Sequence, residues 1–343
     1  NLDFHSADKL TEIKDYTSLA SESATLVTND KIIPYKGEDF EKVLISQYLA
    51  LNYLMLGKVE DALVECRRVN HKLYMMISQG KKKYNLSPMA SYLSAVLYEL
   101  AGEYSDAYVD YQQVFKLLPD LAFLREDLYR LAWLTKNTQD MVQWKDHYNL
   151  SKSELQSIEQ KAKLHEIVVI VENGKSTQKF PHPNWQAIPK YLPCEGNYAG
   201  AAILINGVEV GRSQSVFNVE KTAIENLDDK FAGLLAKRLA GVVAKEVIAD
   251  QVGRRTDPVF GALLRIGMHA LDQADLRSWL TLPKDFQVFR YRLAAGDQSS
   301  LETISVGVKP VAYSGALGKP IEKIVKWSAQ KSLGSKRFVI FRI

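Results

Sequence analysis

The sequence contains little cysteine and no long apolar segment. Its two cysteines, Cys66 and Cys194, lie far apart in a chain of 343 residues, so neither a metal-binding spacing nor a disulfide framework is predicted. No run of 18 apolar residues is present, so no membrane-spanning helix is expected. The formal net charge of +4 is too small to predict a polyanionic partner such as nucleic acid.

Motifs that carry common enzyme chemistry are also missing. The six histidines are scattered, and none forms an H-x-x-x-H pair or a His/Cys pair at ligand spacing, so no metal and no cofactor is predicted. A glycine-rich phosphate loop and a G-x-S-x-G turn are absent. Ser-x-x-Lys occurs four times, but K-T-G and S-D-N do not accompany it. No catalytic residues are therefore predicted, and a non-catalytic role is favoured.

Two segments of the N-terminal half repeat the same pattern. Both segments have small, aromatic and glycine residues at the same relative offsets, namely 0, 3, 7, 12, 16 and 19. In the first segment these positions are Ala50, Tyr53, Gly57, Ala62, Cys66 and Val69. In the second they are Ala95, Tyr98, Gly102, Ala107, Tyr111 and Val114. This pattern is typical of the tetratricopeptide repeat, a helix–turn–helix unit in which small residues let two helices approach closely. A third, degraded pair without a turn glycine is predicted over residues 121–150.

The second half of the chain mixes strand and helix patterns. Strand-like segments occupy residues 165–174, 286–296, 301–308 and 336–343. The pair Asn206-Gly207 between apolar runs predicts a hairpin, and four prolines between residues 181 and 193 predict an extended loop. Residues 220–252 and 257–274 predict a helical pair. The apolar residues of the first helix have the spacing of one buried face, at Ile224, Leu227, Phe231, Leu234, Leu235, Leu239, Val242 and Val243.

These patterns predict an α+β multidomain protein. Residues 1–37 form an N-terminal helical and extended segment, and residues 38–160 form all-α, tetratricopeptide-like helical repeats. Residues 161–343 form an α+β domain, in which a long helical pair packs on a mostly antiparallel sheet.

The first helix of each predicted repeat should present a concave, partner-binding face. The positions expected to point inward are Gln47, Leu51, Met55, Tyr92, Val96 and Glu99. This surface is mostly apolar and lacks the Lys and Asn of a carboxylate clamp, so an amphipathic helix is a better partner than an acidic C-terminal peptide. The alternative is that residues 1–37 or the second domain cover this face.

The segment DLRSWLTLP, residues 275–283, is a second candidate site. Together with Trp185, the side chains of Asp275, Arg277 and Trp279 can line a pocket for a small ligand or an enzyme substrate. The alternative is a structural junction between a helix and a strand, in which an extended Asp275–Arg277 stretch lets Arg277 hold carbonyls or a carboxylate.

The C-terminal region offers a third candidate, a basic surface. Lys323, Lys326 and Lys331 can form a face for anionic lipid headgroups or a cell-wall polymer. A nucleic-acid partner is not predicted, because no nucleic-acid motif accompanies these lysines. The alternative is a solvated helix surface.

Three segments resemble a family of bacterial envelope proteins, often lipoproteins, that has no established activity. They are Tyr191–Pro193, the helix Asn226–Lys245, and the string D-x-R-S-W-x-x-L-P at Asp275–Pro283. The resemblance implies an export signal and a lipidated cysteine upstream of Asn1, a membrane-anchored periplasmic location, and protein partners near the membrane or cell wall. The expected function is a non-catalytic scaffold or adaptor in envelope or cell-wall assembly, and the alternative is a small-ligand binder or enzyme.

Overall fold

The computed structural model describes residues 2–16, 35, 37–78, 87–194, 198–255, 257–259, 262–263, 273–293, 303–312 and 327–343. Its helices, in chain order, are α1 (Leu2–Tyr16), α2 (Asp39–Met55), α3 (Val59–Ser78), α4 (Pro88–Ala101), α5 (Tyr104–Leu117), α6 (Leu124–Leu134), α7 (Thr138–His147), α8 (Lys152–Gln160) and α9 (Val219–Arg255). Within these ranges no helix combines the length and apolarity needed to cross a bilayer.

The strands form two sheets and a separate hairpin. In chain order they are β1 (Glu166–Asn173), β2 (Lys179–His182), β3 (Trp185–Tyr191), β4 (Tyr198–Ile205), β5 (Val208–Arg212), β6 (Gln214–Asn218), β7 (Asp285–Arg292), β8 (Val306–Ala312), β9 (Trp327–Leu333) and β10 (Lys336–Arg342). The larger sheet has the order β6-β7-β1-β10-β9, and the smaller has the order β5-β4-β8. Strand β1 runs parallel to β10, whereas the other paired strands are antiparallel. The prediction of an α+β fold is confirmed.

Short turns of one backbone geometry join the helices into pairs. Gly57, between α2 and α3, and Gly102, between α4 and α5, have φ values of 76° and 81°, as expected for turn glycines. The turn between α6 and α7 has the same left-handed geometry at Lys136, with φ of 57°. At each turn, this residue and the next donate amide hydrogen bonds to carbonyls of the preceding helix. The missing glycine of the third pair therefore does not change its turn.

The predictions for the short strands had mixed outcomes. The hairpin at Asn206-Gly207 is confirmed, because both residues have positive φ and join β4 to β5. The predicted proline-rich loop is wrong, since β2 and β3 form a hairpin there. Pro181 lies opposite Pro189 in this two-stranded ribbon, where an amide donor is dispensable at an open edge.

The larger sheet is buried on both faces, which explains the continuous apolar run of β1. Ile167 and Val169 point to one side and pack with Ile203 of the smaller sheet. Val168 and Ile170 point to the other side and join a core that extends into the helices. The core therefore continues across residue 160, where the chain changes from helices to strands.

Charged residues occupy one end of the sheet face that packs on the helices. Glu166 on β1 lies directly opposite Arg292 on β7 and Lys336 on β10. The helices add Glu99 from α4 and Asp127 from α6, which both pair with Arg130. We call the following seven residues the interlayer charge cluster: Glu99, Asp127, Arg130, Glu166, Arg290, Arg292 and Lys336.

Each carboxylate of the interlayer charge cluster contacts three cations. Glu99 lies 2.7 Å from Arg130, 3.3 Å from Arg290 and 3.1 Å from Lys336. Asp127 pairs with Arg130, Arg290 and Arg292, and Glu166 pairs with Arg290, Arg292 and Lys336. Buried charges are tolerated only when they compensate one another in this way, so the cluster requires the helices and the sheet to meet in one arrangement.

Replacing Asp127 by asparagine should destabilise the fold strongly. Asp127→Asn leaves Arg130, Arg290 and Arg292 with one carboxylate fewer, and breaking a buried ion pair typically costs about 3–5 kcal/mol. Urea unfolding at neutral pH measures the free energy of unfolding. The neighbouring change Glu126→Gln, at an exposed carboxylate, should cost less than about 1 kcal/mol. Equal effects of the two substitutions would contradict the structural role of the cluster.

Candidate functional site

The predicted concave face is closed in this structure. Five of its six candidate residues are buried, namely Gln47, Leu51, Tyr92, Val96 and Glu99, and Met55 is partly exposed. Helix α2 contacts β9 and α4 contacts β6, so the chain's own sheet covers the surface that the sequence offered to a partner. Glu99 is held by Arg130 and Lys336 inside the interlayer charge cluster. The alternative interpretation, coverage by the second domain, describes this arrangement.

Asp275 and Arg277 bind each other. The Arg277 side chain donates two hydrogen bonds to the Asp275 carboxylate, at 2.8 and 2.7 Å, and the backbone amide of Arg277 donates a third at 3.1 Å. Residues 275–279 of the segment form neither helix nor strand, and Leu280 and Thr281 lie in a turn. Its backbone amide at Trp279 donates to Glu41 at 2.7 Å, and its carbonyl at Thr281 accepts from Arg342 at 2.9 Å. These contacts tie α2 and β10 together through the segment.

An apolar pocket of about 410 Å³ lies beside Trp279. Phe4 and Leu10 of α1 and Ile45 of α2 line it together with the indole. Glu41, at its edge, accepts hydrogen bonds from the Tyr35 hydroxyl and from the backbone amides of Glu38 and Trp279, so its carboxylate oxygens are already engaged. Burial raises the pKa of Glu41, and burial together with the Glu41 charge raises the pKa of Tyr35.

The other sequence candidates do not join these residues in one site. Trp185 begins β3 opposite His182 and is about half exposed. Lys331 lies on strand β9, where its side chain lies against Gly57, so the alternative of a helix surface is wrong at this position. Lys323 and Lys326 lie outside the described residues.

Helix α9 carries an apolar stripe that faces solvent. This helix has 37 residues and packs on β3, α2 and β7. The buried residues of its second half, Gly241, Lys245 and Ala249, lie on one side. The opposite side exposes Ala232, Ala236, Leu239, Val243 and Val247. The prediction that Leu239, Val242 and Val243 belong to the buried face is wrong, and the second helix of the predicted pair lies largely outside the described residues.

A polar cleft of about 780 Å³ lies where the helices meet the larger sheet. Its walls are the connection from α5 to α6, the start of α6, the end of α7, and strands β6 and β7. Arg290 and Arg292 of the interlayer charge cluster form part of the lining, and Lys161 and Arg212 are exposed there. Gln214 fixes one wall, because its side chain accepts a hydrogen bond from the backbone amide of Ala122 at 3.1 Å.

The cations of the cluster beside the cleft keep Glu99 and Glu166 ionised. Burial opposes ionisation of Glu99, but the charges of Arg130, Lys336 and Arg290 outweigh it and hold the pKa of Glu99 well below its usual range. In the same way burial opposes ionisation of Glu166, and Arg290 and Lys336 lower its pKa. The arginines therefore stay neutralised in place, so the wall that they form is rigid.

Neither the polar cleft nor the solvent-exposed stripe of α9 was predicted from the sequence. The cleft brings together Arg125, Lys161 and Arg212 from separate parts of the chain, and no local pattern indicates such an assembly. A helical wheel of α9 does show apolar residues on both sides, which was the available signal for the stripe.

Comparisons with protein-family models, with curated proteins and with solved structures found no match. Function is therefore inferred from surfaces, contacts and charges of the described residues.

The free energy of unfolding should fall when the pH is lowered below about 5. Glu99 and Glu166 have lowered pKa values in the folded state, so their stabilisation is complete above the unfolded-state pKa of about 4.3 and is lost as the pH falls further. Burial raises the pKa of Glu41, Glu172 and Asp285, so these three groups act in the opposite sense. Among the described residues they are not each held by several buried cations, as Glu99 and Glu166 are, so we expect their effect to be smaller. Urea unfolding as a function of pH tests this, and a stability that rises on acidification would contradict it.

Proposed function

We propose that this chain is a non-catalytic scaffold that binds a protein partner through the exposed stripe of α9. One observation carries the proposal: Leu239, Val243 and Val247 are 53%, 63% and 50% exposed on one side of a helix. Soluble proteins rarely expose contiguous apolar surface without using it, so such a stripe favours an interaction site. We thus keep the expected adaptor role, but we assign partner binding to α9 and not to the covered helical face.

The shape of the stripe favours a helix as the partner's binding element. Its residues follow one another at spacings of four, three, four and four along α9, which keeps them on one narrow face. Ala232 and Ala236 at one end are small and let a second helix approach closely, whereas Leu239 and Val243 supply larger contacts. An amphipathic helix can bury such a face with its own i, i+3, i+4 and i+7 residues.

Charges at the two ends of the stripe give the partner a direction. Glu225 and Asp228 lie on the same side before Ala232, and Asp250 and Arg254 lie on it after Val247. Arg254 pairs with Asp250 at 2.9 Å, but its side chain is largely exposed. The first end is therefore acidic and the second carries an ion pair, so a partner helix with a basic residue at the end that meets Asp228 fits in one orientation.

The helical pairs are proposed to be tetratricopeptide units whose concave surface the sheet has closed. The repeated left-handed turns at Gly57, Gly102 and Lys136 support this assignment. In this arrangement the helices stiffen the scaffold and do not receive the partner. The string at Asp275–Pro283, which resembles bacterial envelope proteins, supports a periplasmic, membrane-anchored location and a role in envelope or cell-wall assembly.

Replacing Val243 by aspartate should abolish partner binding without affecting folding. Val243 is exposed, so Val243→Asp should change the free energy of unfolding by less than about 0.5 kcal/mol. A charge in the centre of an apolar helix contact should weaken binding at least about tenfold. Quantitative affinity capture from envelope extracts, with cross-links mapped to α9, measures the loss.

The matched control is Val109→Asp. Val109 is a valine on helix α5 that is 61% exposed, so it receives the same charge on a different helix. The control should capture the partner as the unchanged chain does. Equal loss in both variants, or no loss in Val243→Asp, would refute the proposal. A dimer in light scattering that Val243→Asp dissociates would show that a second copy, and not another protein, occupies the stripe.

A further inference from the structure

The lining of the polar cleft carries more positive than negative charge. Five cations, Arg125, Lys161, Arg212, Arg290 and Arg292, and three carboxylates, Asp120, Glu126 and Asp127, line it. Glu154 and Glu166, outside the lining, pair with Arg125 and Arg290, so the charge left for a ligand is mainly that of Lys161 and Arg212 against Asp120. A recess with walls of low dielectric concentrates the field of such charges and attracts anions from solution.

Two cations at the cleft lack strong partners among the described residues. Lys161 is exposed and has no ion pair there. Arg212 reaches only Glu209, at 3.9 Å, and both side chains are at least half exposed. A surface pair of this length contributes little, so both cations keep most of their charge available for a ligand.

Of the other three cations, Arg125 pairs with Glu154 at 2.6 Å, and Arg290 and Arg292 form a fixed wall. Arg290 is bound by Asp127 and Glu166, and Arg292 by Asp127 and Glu126, so neither side chain has to be ordered when a ligand enters. Preorganisation of this kind removes part of the entropic cost of binding.

We propose that the polar cleft binds a small organic anion that carries at least two carboxylate or phosphate groups. Lys161 and Arg212 hold the anionic groups, because they are the least neutralised cations of the lining. The carbon skeleton contacts Ala122 and Phe123, which are apolar members of the same lining and at least partly exposed. A cavity of about 780 Å³ exceeds the size of a single inorganic ion and lies within the usual range for organic ligands. This site is independent of the partner surface on α9.

Titration calorimetry of the full chain with citrate and with inorganic pyrophosphate tests the proposal. At an ionic strength of about 20 mM, where screening is weak, at least one of the two should bind with a dissociation constant of about 1 mM or tighter. Stronger binding of citrate would assign the site to carboxylates, and stronger binding of pyrophosphate would assign it to phosphates. Absence of binding by both would overturn the proposal.

Variants distinguish a site from general attraction to a basic surface. Lys161→Ala and Arg212→Ala should each weaken binding about fivefold, and both residues are exposed, so folding should be unaffected. Lys152→Ala is the control, because it removes the same charge at an exposed lysine of α8 outside the cleft lining. Its dissociation constant should change by less than about twofold. Equal weakening in all three variants would indicate non-specific attraction and overturn the proposal.

Arg212→Lys adds a test at constant charge. Lysine retains the positive charge but loses the planar fork that binds carboxylate or phosphate through two parallel hydrogen bonds. Binding by Arg212→Lys should therefore fall between that of the unchanged chain and that of Arg212→Ala. Full retention of affinity in Arg212→Ala would contradict direct binding of the anion by this side chain.

Discussion

The compensation of buried charge between the helices and the sheet is the constraint on which this structure depends. Glu166 stands between Arg292 and Lys336 on neighbouring strands, and its side chain faces the helices. A slip of one residue along β1 would turn Glu166 to the opposite face and leave its cations uncompensated in the interior. The cluster therefore opposes alternative registers as well as separation of the layers. Apolar contacts alone would tolerate a shift in the register of β1 more readily, because both faces of this strand are apolar.

Closure of the helical face follows from this constraint and determines where binding can occur. Glu99 points from α4 to the cations of the sheet, so the helices cannot offer this surface to another molecule without exposing or separating the charges. Interaction surfaces must then lie away from the closed joint or at its border. The stripe of α9, with Leu239 and Val243, lies away from the closed joint. The polar cleft, lined by Arg290, lies at its border. The two surfaces differ in chemistry, so they suit different ligands.

Local patterns predicted the elements, whereas contacts between distant segments escaped prediction. Gly57 and Gly102 marked their turns because positive φ has a cost that only some residues avoid, and Asn206-Gly207 marked a hairpin for the same reason. The interlayer charge cluster had no such signal. Glu99 and Lys336 lie 237 positions apart and only the fold brings them together. The prediction for helix α9 was wrong for another reason. The spacing of apolar residues indicates a buried side, but it does not show that Leu239, on the other side, is exposed.

The segment Asp275–Pro283 shows why residue types alone are a weak guide to chemistry. An acid, a base and an indole close together suggest a reactive site, but Asp275 and Arg277 satisfy each other, and Arg277 lowers the pKa of Asp275 against the effect of burial. A carboxylate that its neighbour holds ionised is a poor proton donor. Because it is already paired, it is also a weak candidate for binding a substrate. What the segment offers its surroundings is backbone: the amide of Trp279 and the carbonyl of Thr281 bind α2 and β10. The segment thus ties the layers together through these two backbone groups.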